Sequence, residues 1–297
     1  MDVAATIVTH HLLEPGARVL AMLSGGADST LLVHVLHELG YDVRALHVAH
    51  SRRGAESVAD ADLCAAICDR LGVTLVIADG HLDGEHNVEA RLRDVRRAAA
   101  VAAAAGDPIA TGHTASDRAE TVLYRLATSG GARALSPLPA RAGQWIRPLL
   151  AATREEVRAE LNRRRLAWRE DRSNLDDRHA RNRIRNHVVP ELERLNPAAV
   201  RNIARTAEIA EAERAFVDAA AAALIADDGS IDLDALAAAH VALQRAALRL
   251  GAARAGVRIQ HRDIEALRVL GRAGRERRSL PGGAFAERDR ASLRFVR

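Results

Sequence analysis

The sequence predicts an α/β fold, in which a parallel sheet with flanking helices is followed by a smaller, mainly helical C-terminal domain. Three observations support this prediction. Short apolar runs alternate with helical patterns as far as about residue 112, and this alternation is typical of βαβ units. A glycine-rich turn separates the first apolar run from the first helical pattern. After about residue 150, strand-like runs become rare and helical spacing dominates.

The predicted elements of the first domain follow one another in a regular order. Strands are expected at 19–23, 43–48, 73–78 and 108–111, and helices at 30–39, 58–71 and 88–105. Gly72 and Gly106 follow the last two helices, where glycine commonly ends a helix. This organisation is Rossmann-like, and ligands of such folds bind at the carboxyl ends of the strands. The residues that follow the strands are therefore the first candidates for a functional site.

The second domain is predicted to begin at residue 196, which gives domains at 1–195 and 196–297. Helices are expected at 153–165, at 197–225 as one helix or two, and at 233–255 and 262–270. Thr153 and Glu156 have the spacing of a capping box. The tail from 278 to 296 places Pro281-Gly282-Gly283 between short apolar runs, which is the pattern of a hairpin.

Composition and charge restrict the class of protein. Hydrophobic residues make up 48% of the chain and aromatic residues only 2%, so the core must consist of Leu, Val, Ile and Ala. All 43 basic residues are arginine, whose guanidinium binds phosphate through two hydrogen bonds. Residues 141–190 carry 13 arginines and 7 acidic residues, against 12 and 17 in residues 1–140. This charge asymmetry favours binding of a polyanion near the junction of the two segments. The alternative is that the arginines lie on solvated helix faces.

The two cysteines, Cys64 and Cys68, share one helix face because they are four residues apart. We expect buried thiols away from the strand ends, rather than a disulfide or a metal site. Charged residues near the start exclude a signal peptide. No uncharged apolar run approaches the roughly 18 residues of a membrane span, so we expect a cytoplasmic protein without a membrane partner.

The segment Ser24-Gly25-Gly26-Ala27-Asp28-Ser29 lies between a predicted strand and a predicted helix. Two glycines let the backbone approach an anion closely, and the following helix offers free N–H groups and the positive end of its dipole. Asp28 alone would repel phosphate, but it fits the site if it binds Mg²⁺ against a pyrophosphate. An ordinary strand–helix turn is the alternative interpretation.

A second group of residues, from Gly112 to Thr121, follows the fourth predicted strand and runs into a helix. Asp117 and Glu120 are three residues apart, so one helix face presents both carboxylates. Such a pair can bind a substrate ammonium group or accept its proton. The alternative is structural, because acidic residues are favoured in the first turn of any helix.

Both groups resemble motifs of known enzymes. The segment 24–29 resembles the SGGxDS pyrophosphate loop of the N-type ATP pyrophosphatases, the PP-loop superfamily. Residues 113–121 resemble the HxxxDxxET motif of the tRNA(Ile)-lysidine synthetase family. Further stretches match that family in order: His47-Val48-Ala49-His50, Arg147-Pro148-Leu149-Leu150 with Arg154, Leu166-Ala167-Trp168, and Arg181-Asn182-Arg183-Ile184-Arg185. The chain departs from the pattern at Ala49, at Ser116, where a second Asp is common, and at Thr128.

The resemblance implies an ATP-dependent ligase that attaches L-lysine to C2 of the wobble cytidine of tRNA(Ile) with a CAU anticodon. An adenylated cytidine would be the intermediate, and AMP and pyrophosphate would be released. Residues 1–195 would then form a PP-loop catalytic domain and 196–297 a tRNA-binding domain. The sequence leaves the assembly open, with a homodimer as one option.

The resemblance also implies a role for individual residues. Asp28, Asp117 and Glu120 would be catalytic, Asp28 would bind Mg²⁺, and Asp117 and Glu120 would bind lysine. ATP would be bound by Ser24, Gly25, Gly26, Ala27, Asp28, Ser29, His50 and His113. Phosphates of the tRNA would be bound by Arg147, Arg181, Arg183 and Arg185.

Three rival functions stay open at this point. A tRNA thiolation enzyme of the same superfamily would need a cysteine or an iron–sulfur cluster to deliver sulfur. A small-molecule amidating ligase, such as a NAD or GMP synthetase, would not need the arginine-rich segment. A non-catalytic RNA-binding protein on a decayed enzyme fold would not need the intact loop with Asp28.

Overall fold

The computed structural model describes residues 1–49, 55–80, 88–129, 134–136, 138–170, 176–269 and 276–297. The chain divides into two compact units, Met1–Ala127 with Pro137–Ala207 and Thr128–Ser136 with Glu208–Arg297. The first unit holds a mostly parallel sheet and the second is mainly helical with a small sheet. The predicted fold class is therefore confirmed, and the domain border expected at residue 195 stays a prediction.

Six strands form the sheet of the first unit. Their order across the sheet is β3 (Thr74–Asp79), β2 (Asp42–Ala49), β1 (Arg18–Met22), β4 (Ile109–Ala110), β6 (Trp145–Ile146) and β5 (Arg141–Ala142). The first five of these strands run parallel, and only β5 is antiparallel to its neighbour. Ala21 of β1 pairs with Ala45 of β2 on one side and with Ala110 of β4 on the other. β1 is therefore the central strand between two parallel neighbours.

The helices of the first unit cover both faces of this sheet. They are α1 (Val3–Thr9), α2 (Ala27–Glu38), α3 (Ala55–Leu71), α4 (Val88–Ala104), α5 (Ala115–Thr128) and α6 (Arg154–Arg164), followed by α7 (Ala180–Arg183), a π-helical turn (Ile184–Val188) and α8 (Val189–Leu195). Val19 and Ala21 pack with residues of α2, α3 and α6, whereas Leu20 packs with residues of α4. Burial on both faces explains why β1 reads as a continuous apolar run.

Helix α6 shows how the sequence sets a helix start. Thr153 Oγ1 accepts a hydrogen bond from Glu156 N at 3.3 Å, and Glu156 Oε2 accepts one from Thr153 N at 2.8 Å. The predicted capping box is therefore confirmed, and it fixes the first residue of the helix, Arg154.

The second unit combines helices with a four-stranded antiparallel sheet. Its elements are the second part of α9 (Ala199–Ala222), α10 (Leu233–Ala238), α11 (Val241–Arg254), α12 (His261–Arg268), and strands β7 (Ile231–Asp232), β8 (Glu276–Ser279), β9 (Phe285–Arg288) and β10 (Ser292–Val296). The predicted hairpin is confirmed, because β8 and β9 pair antiparallel around Pro281–Gly283. The helix expected at 233–255 is two helices, because His240 caps a new start through its Nδ1, which accepts from Ala242 N.

In the part of the chain that the structure describes, no helix has both the length and the apolar surface that a membrane span needs.

Candidate functional site

The candidate site lies where β1 and β4 end side by side. β2 and β4 flank β1, so the connections leave β1 and β4 towards opposite sides of the sheet. Open α/β sheets bind ligands at this kind of switch point. The loop after β1 leads into α2 and the loop after β4 leads into α5. Two helix N-termini and both segments that the sequence singled out therefore meet at one crevice.

The loop at residues 24–29 is closed by its own serines. Ser29 Oγ accepts a hydrogen bond from Ser24 N at 3.1 Å, lies 3.1 Å from Ser24 Oγ, and donates to Gly26 O at 3.0 Å. Gly25 has a φ of +80°, which favours glycine. Gly26 is the N-cap of α2 and, without a side chain, leaves the first N–H groups of the helix available to an anion.

The loop after β4 touches the loop after β1 through Gly112. A Cβ atom at this position would lie 2.9 Å from the carbonyl carbon of Asp28, 3.0 Å from Ser29 N and 3.1 Å from Asp28 O. These are backbone atoms in the first turn of α2, and they cannot rotate away. Gly112 is therefore needed for the close approach that brings Asp28 and Asp117 to the same crevice.

The segment after α6 supports the loop from another side. Arg169 N donates to Gly25 O at 2.9 Å, and Arg169 Nε lies 2.8 Å from Asp60 Oδ1 of α3. The neighbouring Trp168 packs against the main core of the first unit. The tryptophan motif that the sequence identified therefore holds the loop in place, a role that sequence reasoning missed.

The two thiols are buried, as predicted. Burial raises the pKa of Cys64 to about 12 and that of Cys68 to about 11. The expected distance from the strand ends is wrong for Cys64, because its Sγ lies 3.4 Å from His47 Nδ1 of β2, and His47 Nδ1 lies 3.0 Å from Leu23 O. Cys64 therefore packs beneath the loop at residues 24–29.

Asp28 occupies the second position of α2, inside the crevice. Its Oδ1 is buried and has no hydrogen-bond partner among the described residues. Burial, and then the carboxylate of Asp117, raise its pKa to about 7, while Arg154 and Arg185 act in the opposite direction. A divalent cation would satisfy this oxygen and stabilise the ionised carboxylate.

These observations fit a Mg²⁺ ion that takes most of its ligands from elsewhere. In the described part of the chain, no group of three or more His, Cys, Asp or Glu residues could hold a metal. Mg²⁺ in nucleotide sites commonly takes one or two carboxylates and completes its shell with phosphate oxygens and water. Asp28 is the carboxylate in position to hold it.

Asp117 lies in the candidate site and also forms hydrogen bonds that stabilise the start of α5. Its Oδ2 accepts hydrogen bonds from Thr114 N and Thr114 Oγ1, both at 2.9 Å, and its own N donates to Thr114 Oγ1 at 3.3 Å. This reciprocal arrangement is a capping box at the start of α5. The spacing of Thr114 and Asp117 in the sequence could have revealed it.

Three arginines close around the carboxylates of Asp117 and Glu120. Arg154 Nη1 lies 3.0 Å from Glu120 Oε1, and Arg154 Nη2 lies 3.4 Å from Asp117 Oδ1. Arg181 contacts the same pair, at 3.3 Å from Glu120 Oε2 and 3.4 Å from Asp117 Oδ1. Arg185 binds both oxygens of Glu120, at 2.7 Å and 2.9 Å. All four carboxylate oxygens are therefore occupied.

This set of five side chains is named here the carboxylate–arginine cluster, and its two carboxylate residues, Asp117 and Glu120, are buried. Burial alone would raise the pKa of Asp117, but Arg154 and Arg181 outweigh it and hold that pKa below its usual value. With two carboxylates and three guanidinium groups, the formal charge of the cluster is +1. Sequence reasoning identified the acids and missed Arg154 as their partner.

A break in helix regularity places Arg185 in the cluster. Arg185 lies in the π-helical turn Ile184–Val188, between α7 and α8. Pro190 follows in the first turn of α8 and has no N–H to continue a regular pattern. π-helical turns commonly occur at functional sites, and here the turn contributes an arginine to the carboxylates.

The remaining predicted site residues lie in different surroundings. His113 Nδ1 is 2.8 Å from Thr111 Oγ1, and burial lowers the pKa of His113, which favours a neutral ring. Arg147 is buried and donates to Pro139 O at 2.6 Å. Arg183 is exposed and donates to Asp177 O at 3.4 Å. His50 lies outside the described residues.

Comparison with known proteins shows which family and which relatives the chain is similar to. A family model described as a PP-loop domain matches residues 3–192. The chain is 38% identical to the "tRNA(Ile)-lysidine synthase" of Solibacter usitatus, over 90% of this chain and 64% of that protein. It is also 38% identical to the protein of the same name from Thermus thermophilus, over 99% of this chain and 59% of that protein. The chain thus spans about three fifths of the length of these curated relatives.

A solved structure resembles the fold. The U34-tRNA thiolase NcsA from Methanococcus maripaludis, with its 4Fe-4S cluster, superposes with a TM-score of 0.58 over 70% of this chain and 77% of that one. The sequences are 18% identical. The likeness therefore concerns the fold alone.

Proposed function

This chain belongs to the PP-loop domain family, and we propose that it is a ligase that joins L-lysine to C2 of the wobble cytidine of tRNA(Ile) with a CAU anticodon. The observation that carries the proposal is one shared crevice. Asp28, with its partnerless carboxylate oxygen in the described structure, and the pair Asp117 and Glu120 follow neighbouring strands, and Asp28 and Asp117 act on each other electrostatically. The names of the relatives support the choice of substrate.

The first step splits ATP at the α-phosphate. The C2 oxygen of cytosine attacks the α-phosphorus, and the bond to pyrophosphate breaks. The N–H groups at the start of α2 and the backbone of residues 24–29 stabilise the negative charge on the leaving pyrophosphate. Mg²⁺, held by Asp28 when bound, would supply further positive charge to the phosphates.

The second step replaces the adenylated oxygen with nitrogen. The ε-amine of lysine forms the new bond to C2, and the bond from C2 to the oxygen breaks, so that AMP leaves with that oxygen. The ammonium group must first lose a proton to water. Because Asp117 has a lowered pKa, it is a weak proton acceptor, and its low pKa favours binding and orienting the ammonium over removing its proton.

The basic segment is proposed to hold the RNA. Arg183 is an accessible candidate, because it is exposed and its hydrogen bond to a carbonyl oxygen is long. Arg181 and Arg185 would exchange their carboxylate partners for RNA phosphates. Arg147 keeps its predicted role only if its buried guanidinium becomes accessible. The wobble base is unstacked most easily in a single-stranded anticodon loop.

Replacing Arg183 with Gln is expected to weaken tRNA binding and to reduce its salt dependence. The slope of log K against log salt concentration should fall by about 0.7 to 0.9 for one lost phosphate contact. Arg178→Gln is the matched control, because Arg178 is exposed in the same segment but is held by Asp176 at 2.7 Å. A titration in which Arg183→Gln keeps the slope of the parent protein contradicts this role.

Replacing Asp117 with Asn is expected to impair lysine use and to spare ATP use. Asn keeps an oxygen that can accept from Thr114, so the helix start survives, but the negative charge that binds ammonium is lost. We expect the KM for lysine to rise about 10-fold or more, since a hydrogen bond to a charged group contributes roughly 1.5–3 kcal/mol. Steady-state kinetics with varied lysine measure this, and an unchanged KM with an unchanged rate argues against the assignment.

The proposed function is tested by incubating the protein with tRNA(Ile) CAU, ATP and labelled lysine. Lysine attached to cytidine is the expected result, and ATP cleavage without incorporation would favour a rival. The buried thiols, with their raised pKa values, argue against sulfur delivery by Cys64 and Cys68. A homodimer and a cytoplasmic location stay predictions.

A further inference from the structure

The charge of the carboxylate–arginine cluster does not suit the substrate that it is proposed to bind. With all three arginines in place its formal charge is +1 and each carboxylate oxygen has a partner. Within the cluster, a lysine ammonium would be repelled and would find no carboxylate oxygen without a partner. At least one arginine must therefore leave before lysine binds.

The three arginines differ in how firmly they are held. The side chain of Arg154 is 14% exposed, against 22% for Arg185 and 44% for Arg181. Arg181 and Arg185 are among the arginines proposed to bind RNA phosphates, whereas Arg154 is not and is the first residue of α6. Arg181 and Arg185, which are more exposed than Arg154, are therefore the part of the cluster that RNA phosphates can draw away.

Arg154 is anchored to the helix that carries the carboxylates. Its N donates to Ser116 Oγ at 3.1 Å, and Ser116 lies in the first turn of α5 beside Asp117. The capping box of Thr153 and Glu156 fixes the same turn of α6. Ser116, at which the chain departs from the family pattern, thus ties the backbone of Arg154 to the carboxylate pair.

We propose that Arg154 is a positioning residue that stays on Asp117 and Glu120 throughout the reaction and sets the charge of the lysine pocket to −1 when Arg181 and Arg185 turn to the RNA. This inference rests on the proposed function. A pocket of charge −1 matches a single ammonium group. Such a pocket binds the ammonium group. It holds the proton of that group less firmly than two uncompensated carboxylates would.

Removing Arg154 is therefore expected to affect the affinity for lysine and the rate of its reaction differently. In Arg154→Met the RNA-bound pocket has charge −2, which attracts the ammonium more strongly and raises its pKa, because each nearby opposite charge favours the charged form. Lysine should bind at least as well as before and react more slowly. A loss of packing alone would weaken binding and rate together.

The same variant is expected to fold. In the free chain, Arg181 and Arg185 still neutralise Asp117 and Glu120, so both buried carboxylates keep a cationic partner. Among the residues that the structure describes, the other charged or titratable groups that act on this region include Asp28, His113, Arg147 and Arg158. They are unchanged in every variant compared, so a change in pH dependence reports Arg154.

The experiment measures lysine transfer to tRNA(Ile) CAU at varied lysine concentration and pH. For Arg154→Met we expect an unchanged or lower KM for lysine, a kcat reduced about 10-fold or more, and a rate–pH midpoint about one unit higher. Arg154→Lys restores one positive charge and should restore the pH midpoint. Arg163→Met is the matched control on α6, because Arg163 is exposed and pairs with Glu160 at 2.7 Å.

The outcomes separate this inference from the function on which it rests. A parent protein that never transfers lysine overturns both. If the parent transfers lysine, a raised KM with an unchanged pH midpoint in Arg154→Met overturns the inference alone. An equal loss of AMP formation and lysine transfer in both Arg154 variants also overturns it, because that result indicates a purely structural role.

Discussion

Asp28→Asn is expected to lower tRNA-dependent AMP formation by roughly 100- to 1,000-fold, the scale observed when one preorganised electrostatic group is lost from an active site. Asn matches Asp in shape, so the loop with Ser24 and Ser29 should persist. The buried oxygen would no longer carry the charge that holds Mg²⁺ against the phosphates. Release of pyrophosphate and AMP measures the effect, and Asp62→Asn, at an exposed position of α3, is the control.

The same substitution should stabilise the protein in the absence of nucleotide and metal. Folding raises the pKa of Asp28 from 3.8 to about 7, so between these values the folded state binds a proton that the unfolded state has released. Stability therefore falls as pH rises through this window, and the full penalty is present above about pH 7. A shift of about three units corresponds to at most about 4 kcal/mol.

Urea unfolding at pH 8 and pH 3 tests this second effect. At pH 8, Asp28→Asn should have the higher free energy of unfolding, and at pH 3 the two proteins should be close, because Asp28 is protonated in both states. A less stable variant at pH 8, or a variant that forms AMP at the parent rate, contradicts the role assigned to Asp28.

Gly112→Ala is expected to cost both stability and activity. The new Cβ would meet backbone atoms of Asp28 and Ser29 at 2.9 to 3.1 Å, so the two loops must separate. Overpacking of this kind costs roughly 1–3 kcal/mol, and a displacement of about 1 Å at a reacting centre can cost about 100-fold in rate. Thermal unfolding and AMP formation measure the two effects.

Gly16→Ala separates these contributions. Gly16 has a φ of +70°, and among the described residues no atom lies within 4 Å of the place that a Cβ would take, so alanine there strains the backbone without a clash. We expect Gly16→Ala to lower stability and to leave AMP formation intact. If Gly112→Ala behaves in the same way, the close approach of the loops is not needed for the reaction.

Strong periodic patterns made most of the fold predictable. Strands β1 to β3 and the helices that follow them are long enough for their apolar spacing to be clear, and glycines mark several of their ends. β5 and β6 have two residues each, too few to show any alternation. The break at His240 depends on one side chain capping a helix, which spacing alone does not reveal.

The segments that form the site were predictable from the sequence, but the side chains that pair with one another were not. The loop at 24–29 and the carboxylates at 117 and 120 are recognisable because motif and context agree. Which of the 43 arginines would pair with those carboxylates depends on tertiary structure. Arg154 reaches them from α6, and Arg185 from a π-helical turn that no periodicity predicts. Arg147, predicted to bind RNA, is buried and donates to Pro139 O, a contact that its position in the sequence does not reveal.

In the proposed reaction, AMP is transferred to the cytidine oxygen in this crevice before lysine replaces that oxygen. The most direct measurement uses tRNA(Ile) CAU that carries ¹⁸O at the C2 oxygen of the wobble cytidine, with ATP and lysine, and mass spectrometry of the products. We expect ¹⁸O in the released AMP, none in pyrophosphate, and its loss from the modified base. Lysine-modified tRNA accompanied by AMP without ¹⁸O would contradict adenylation at this oxygen.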